Sequence, residues 1–340
     1  MRILWVCLFF INAAYANSLP EPIDGAFNSF KAHYQSQWGQ VAQCRDPEQN
    51  QFRVCSPRLR NEGNAPFIMH HGMKTAKVAV LFHGLSDSPF YMRAIATKLF
   101  EEGLNVIVPL TPGHGLREAD EAMEDSDMPQ TWRQYADSIV QIATQLGDEV
   151  YLGGFSAGAA IATDYYLRQP EQVDGLFLFS AALALSDYAE SMAKIWGTKW
   201  IARLLDGEYQ ATGPNPHKYP SVSGYAGLQL MSIIKDIRNR LENGQQIDVP
   251  VFAAHSQADL TTPIHGVEEL LRHTEQRHTL FLVAEEYDLC HADLPLNFRS
   301  IADMHFKKNA VTKLEKCTIP QANPLFRQMT DMLTTFIKID

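Results

Sequence analysis

The sequence predicts an α/β fold, a mostly parallel central sheet with helices on both faces, and three observations carry the prediction. From about residue 77 onward, short apolar runs alternate with longer amphipathic segments, the rhythm of a sheet covered by its own crossover helices. The runs are rich in Val, Leu, Ile and Phe and short enough to be buried strands. The rhythm then breaks over a gap of about sixty residues, 188–248, too long for a structureless connection in a compact domain, which predicts an inserted, mostly helical cap.

Taken in order, residues 1–16 (MRILWVCLFFINAAYA) combine a basic Arg2, a short apolar run and small residues at Ala14 and Ala16. That is the pattern of a cleavable secretory signal, with processing expected after Ala16. The apolar run carries Asn12 and is too short to span a bilayer, and no later segment approaches the ~18 apolar residues a spanning helix needs, so no stable membrane insertion is expected. Residues 17–75, rich in Pro, Gln, Asn and aromatics, read as a helix or two followed by edge strands. The core follows as 76–187 plus 249–340, its strands expected at 78–82, 104–110, 149–152, 176–180, 249–254 and 279–284. Helical spacing of apolar residues predicts helices over 90–102 and 132–146, a third over 157–168 stopping before Pro170, and one within the cap at 227–241. The acidic run 117–127 (READEAMEDSD) reads as a solvated loop.

The composition is that of a globular protein, 46% hydrophobic and 20% charged. A net charge of -10 argues against a nucleic-acid partner, because that affinity comes largely from Lys and Arg neutralising phosphates. Of the 5 cysteines, Cys7 leaves with the signal. The other four, in an exported chain, permit two disulfides, and proximity along the chain suggests Cys44 with Cys55 and Cys290 with Cys317. No Cys or His spacing suggests a metal site.

The feature that carries most information is Gly154-Phe155-Ser156-Ala157-Gly158, which follows a strand and opens a helix. A serine on so tight a turn needs small neighbours, because side chains at the two glycine positions would collide with the adjacent strand or helix. The turn lifts the hydroxyl above the sheet, which makes Ser156 the candidate nucleophile. Such a hydroxyl needs a base to take its proton and donors for the oxyanion that its attack creates. The first core strand ends in His83-Gly84-Leu85, where Gly84 lets the chain turn so that the Leu85 amide can face the serine. The Ala157 amide, at a helix N-terminus, is the second candidate donor. His83 itself reads as a side chain bonded to loop backbone.

The acid should lie beyond a later strand, and 249–254 is followed by His255-Ser256-Gln257-Ala258-Asp259. Asp259 is therefore the candidate that orients the base, with Asp187, at the end of the preceding strand, as its competitor. The last strand runs into a segment whose single histidine is His291, the candidate general base. The chain has 12 histidines, and His114, His265, His273, His278 and His305 read as structural or solvated.

With these residues in place, the chain resembles the α/β-hydrolase superfamily, in its carboxylesterase, monoacylglycerol-lipase and serine-aminopeptidase-like branch. The resemblance rests on four ordered elements: 83–91 (HGLSDSPFY), 109–115 (PLTPGHG), the Ser156 pentad and 259–263 (DLTTP). It implies the order Ser, Asp, His along the chain and a serine hydrolase needing no metal or organic cofactor. It also implies small-molecule or lipid ester substrates and a cap that shields an acyl pocket. Esters of short to medium acyl chains are the expected substrates, in a periplasmic or secreted protein. A peptidase or amidase on the same triad and a non-catalytic binding protein of this fold are the alternatives. Oligomeric state is not legible.

Overall fold

The computed structural model describes residues 21–44, 50–118, 120–193, 212–220 and 223–339. The expected signal at 1–16 and the tryptophans Trp196 and Trp200 of the expected cap lie outside the described residues.

The chain opens with helix α1 (Glu21–Trp38), a two-residue strand β1 (Ala42–Gln43), β2 (Gln51–Cys55) and β3 (Phe67–Met69). The core begins at β4 (Thr75–Phe82) and continues through α2 (Arg93–Glu101), β5 (Asn105–Val108), α3 (Asp120–Met123), α4 (Met128–Ala143) and β6 (Gly147–Phe155). It goes on through α5 (Ala157–Arg168), β7 (Gly175–Phe179), α6 (Asp187–Met192), α7 (Gly224–Glu242), β8 (Val251–Ser256) and α8 (His265–Arg272). The chain closes with β9 (His278–Val283), α9 (Phe298–Asp303) and α10 (Phe326–Lys338). The strands form one sheet in the order β1-β2-β3-β5-β4-β6-β7-β8-β9. The first four strands in that order pair antiparallel, and from β5 onward every pairing is parallel.

Each expected core strand is present, and the bounds differ for local reasons. Pro109 stops β5 short of 110, because a proline cannot donate to the ladder. β6 runs beyond 149–152 at both ends, since its register against β4 holds from Thr75 opposite Gly147 to Phe82 opposite Gly154. β7 is buried at all five positions and β8 at all six, as expected of strands covered on both faces. One face carries α1, α4, α5, α7 and α8, and the other carries α2 and α10.

The N-terminal helix is part of the core. Its Ile23, Phe30 and Tyr34 are fully buried. The Tyr34 hydroxyl lies 2.7 Å from that of Tyr135 on α4 and accepts the Leu110 amide at 2.8 Å. Both disulfides suggested by chain proximity are formed, Cys44 with Cys55 and Cys290 with Cys317.

Two expectations are corrected. The acidic run 117–127 is not simply a loop: it contains α3, whose Met123 enters the main apolar cluster and anchors the turn. The helix expected at 227–241 begins earlier, at Gly224, because the Ser223 side chain accepts the Ala226 amide and caps it. This helix, α7, lies on α4 and α5. Sandwiched between α7 and the sheet, α5 is buried nearly all round, and its Ala- and Gly-rich first turns allow the close approach. Arg133 of α4 joins the three helices, donating to Asp164 of α5 at 3.0 and 2.7 Å and to Asp236 of α7 at 2.7 Å.

Candidate active site

Ser156 occupies the single residue between β6 and α5, at φ 55° and ψ -119°. A left-handed φ is strained for a residue with a Cβ, by about 1–3 kcal/mol, and persists only where the surroundings dictate it. Here they do. A Cβ at Gly154 would strike the Phe82 carbonyl of β4 and the backbone of Gly158, and one at Gly158 would strike Phe82 and the His83 carbonyl. Helix α5 thus approaches β4 backbone against backbone, as the glycine spacing predicts. The Ser156 amide donates to Phe179 of β7 at 3.0 Å, and its carbonyl accepts from Ala159, Ala160 and Ala182. The hydroxyl is left at the carboxyl edge of the sheet, where ligands of such folds bind.

Asp259 and His291 reach the same edge from β8 and β9. His291 Nε2 lies 2.8 Å from Ser156 Oγ, and His291 Nδ1 lies 2.6 Å from Asp259 Oδ2. The Asp259 carboxylate accepts at Nδ1, so Nδ1 carries the hydrogen and Nε2 is free to accept the serine proton. The other Asp259 oxygen accepts the amides of Thr261 and Thr262 at 2.9 and 3.0 Å. Burial by itself would raise the Asp259 carboxyl, but the charge and hydrogen bond of His291, with the Thr262 amide, outweigh it and hold it down to about 2.

Sequence reasoning missed three neighbours. The Thr262 hydroxyl lies 2.9 Å from Asp259 Oδ2, 3.2 Å from the Ser180 carbonyl and 3.1 Å from His291 Nδ1, so it spans the acid and the base. The 259–263 stretch held that signal, since a threonine three residues after an aspartate on a tight loop can bond back to it. Asp87 is 1% exposed, and Lys218 Nζ lies 3.1 Å from its Oδ1. Burial raises the Asp87 carboxyl and the lysine charge offsets part of the rise.

The remaining candidates fall as the sequence suggests. His83 Nδ1 donates to the Gly84 carbonyl at 2.9 Å and its Nε2 accepts the Thr111 amide at 3.0 Å, so it holds two loops together. His114 packs edge-on to it, and burial lowers the imidazole of His114 to about 4. His265 opens α8, His273 caps it, His278 begins β9 and His305 follows α9. Asp187, the competing acid, is exposed on α6. The amides of Leu85 and Ala157 donate to no acceptor among the described residues.

Ser156 and His291 open into a cleft of about 650 Å³, within the usual size range of small-molecule sites. Leu85, Leu185, Leu230 and Leu260 give it apolar walls, and Cys290 and Cys317 form part of its rim.

Residues 73–288 match the sequence model of the family described as serine aminopeptidase, S33; the match takes in Ser156 and Asp259 and stops before His291. Among solved structures, one described under LipS and LipT, two metagenome-derived lipolytic enzymes, is 17% identical at a TM-score of 0.57, over 79% of this chain and 96% of that one. A monoacylglycerol lipase of Paleococcus ferrophilus is 16% identical at 0.53, over 79% and 97%. A soluble variant of monoglyceride lipase from Saccharomyces cerevisiae is 12% identical at 0.54, over 89% and 97%. These likenesses concern the fold. No curated protein matches the chain.

Proposed function

The chain belongs to the serine aminopeptidase S33 family of α/β hydrolases, and from that premise we propose that it cleaves carboxylic esters through an acyl-enzyme on Ser156. The observation that carries the reading is the unbroken line from Ser156 Oγ through His291, 2.8 Å on one side and 2.6 Å from Asp259 on the other. His291 takes the serine proton as Oγ attacks the ester carbonyl. The amides of Leu85 and Ala157 meet the oxyanion, each contributing about 3 kcal/mol to the transition state. The alcohol leaves with the proton from His291, and water repeats the steps on the acyl-enzyme. Asp259 keeps the imidazole in the right tautomer and favours its charged form.

The stretch 188–248 is read as the specificity element, because Ala189, Lys218 and Leu230 from it line the cleft. Export through the 1–16 signal agrees with the two disulfides. No helix among the described residues is long and apolar enough to cross a membrane.

The test is labelling with a fluorophosphonate beside a panel of p-nitrophenyl esters and aminoacyl nitroanilides. The expected outcome is an adduct on Ser156, turnover that favours short to medium acyl esters, and a fall in kcat of about 10⁴ or more in Ser156→Ala. An unlabelled Ser156 would end the proposal. Faster turnover of the nitroanilides would replace the esterase with the peptidase that the family description names.

A further inference from the structure

The charges around the cleft are unequal in sign. Among the described residues that line it, Lys218 and Lys316 are cationic and Asp87 is the one carboxylate. Asp87 already faces Lys218 at 3.1 Å, and both of its oxygens are buried. Lys316 has its own partner, Asp288, which is not among the lining residues. An incoming ammonium group would therefore find two lysines and no uncommitted carboxylate among these residues.

Lys218 is held for the opposite task. Its Nζ stands 5.8 Å from the centre of the Tyr91 ring, whose face favours a cation, and beside a carboxylate that cannot turn to water. The side chain is 28% exposed and lines the cleft, while its counter-ion beside it is buried from water. The ammonium has three donors; Asp87 is the one carboxylate within ion-pair distance, and Asp293 feels its charge from farther off, which leaves capacity for another acceptor. A partly desolvated, fixed cation of this kind meets an anion more strongly than a lysine free in water.

We propose that Lys218 is a specificity-determining residue that receives a free carboxylate carried by the substrate. The natural substrates are then esters bearing one acid group, on the acyl chain or on the alcohol, and not chains with a free amino terminus. The inference rests on the ester-hydrolase reading above and gives it a substrate class.

The experiment measures kcat and KM of the full protein on two matched sets. In the acyl set, mono-p-nitrophenyl glutarate is compared with the pentanoate and the ω-aminopentanoate. In the alcohol set, butyryl meta-hydroxybenzoate is compared with butyryl meta-hydroxybenzamide. The acid is expected to be favoured over its neutral match by about ten- to a hundredfold in at least one set, mostly through KM, with the amine poorest. The preference should shrink as salt rises. Lys218→Met should abolish it and Lys218→Arg should keep most of it. Because Lys218→Met strands a buried carboxylate, the double variant Asp87→Asn with Lys218→Met is measured too, and the same loss is expected.

Equal rates on acid and neutral esters in both sets, or a preference that survives Lys218→Met, would overturn the inference while leaving an ester hydrolase. Absence of turnover on every ester together with an unlabelled Ser156 would instead remove the underlying reading.

Discussion

Ser156 sits where backbone packs on backbone, whereas His291 sits on a loop tied down by a cross-link, and the two halves of the site should fail differently. On the serine side, β4 and α5 meet through Gly154 and Gly158 with no room for a methyl group. On the histidine side, the chain leaves β9 through two short 3-10 turns, with Cys290 beside His291 joined to Cys317. The first half needs the whole sheet to be in place. The second depends on one bond and a few contacts, among them the Asp293 carboxylate accepting the Gln321 amide.

The largest effect should come from Gly158→Ala, since the clash is with main-chain atoms that no side-chain rotation can clear. A loss above about 4 kcal/mol, or failure to fold, is expected in urea unfolding. A loss below about 1 kcal/mol would break the comparison. Next comes Cys290→Ser with Cys317→Ser, expected to lower stability by about 2–4 kcal/mol by freeing the His291 loop. Here the folded fraction should keep the strained Ser156 turn while His291 is less firmly held, so ester turnover and probe labelling should both fall. Equal rates and equal melting temperatures would show that the bond braces nothing.

The smallest effect sharpens the contrast through pH. Burial raises the Asp293 carboxyl from 3.8 to about 7, with the Gln321 amide and the charges of Lys218 and His291 offsetting part of the rise. Between about pH 4 and 7 the native state holds a proton that the unfolded chain has released, so this contribution to stability declines as pH rises, by at most about 1.4 kcal/mol per unit. Asp259, held to about 2, acts with the opposite sign: its contribution is present above about pH 4 and is lost as pH falls toward 2. Asp293→Asn should therefore flatten the decline of the urea midpoint between pH 5 and 7. An unchanged slope would show that Asp293 titrates as an ordinary carboxyl.

The serine half was the more legible in the sequence for the same physical reason that makes it rigid. A strand, a tight turn and a helix within 147–168 are set by neighbours in the chain, so the Ser156 pentad and the bounds of α5 could be read directly. His291 and Asp259 were found by counting strands, because topology fixes which loops reach one edge. Thr262 stood in view in the 259–263 stretch, but its contact with His291, 29 positions away, is tertiary. The pairing of Asp87 with Lys218 was out of reach, since nothing local in either segment names the other. The packing of α7 on α5 was hidden likewise, its amphipathic pattern being compatible with a lid or with a core layer.

The knot between Tyr34, Leu110 and Tyr135 has a consequence for biosynthesis. The two tyrosines stand 101 positions apart, so the first helix has no lasting place to dock until most of the first half of the chain has been made. At ordinary elongation rates that delay is roughly 5–20 s. Until then Tyr34 lacks its partner on α4, and the α1 aromatics that the folded protein buries offer a sticky ribbon that holdase chaperones can grip. The newborn chain is thereby kept loose around this helix until its partner tyrosine has been added.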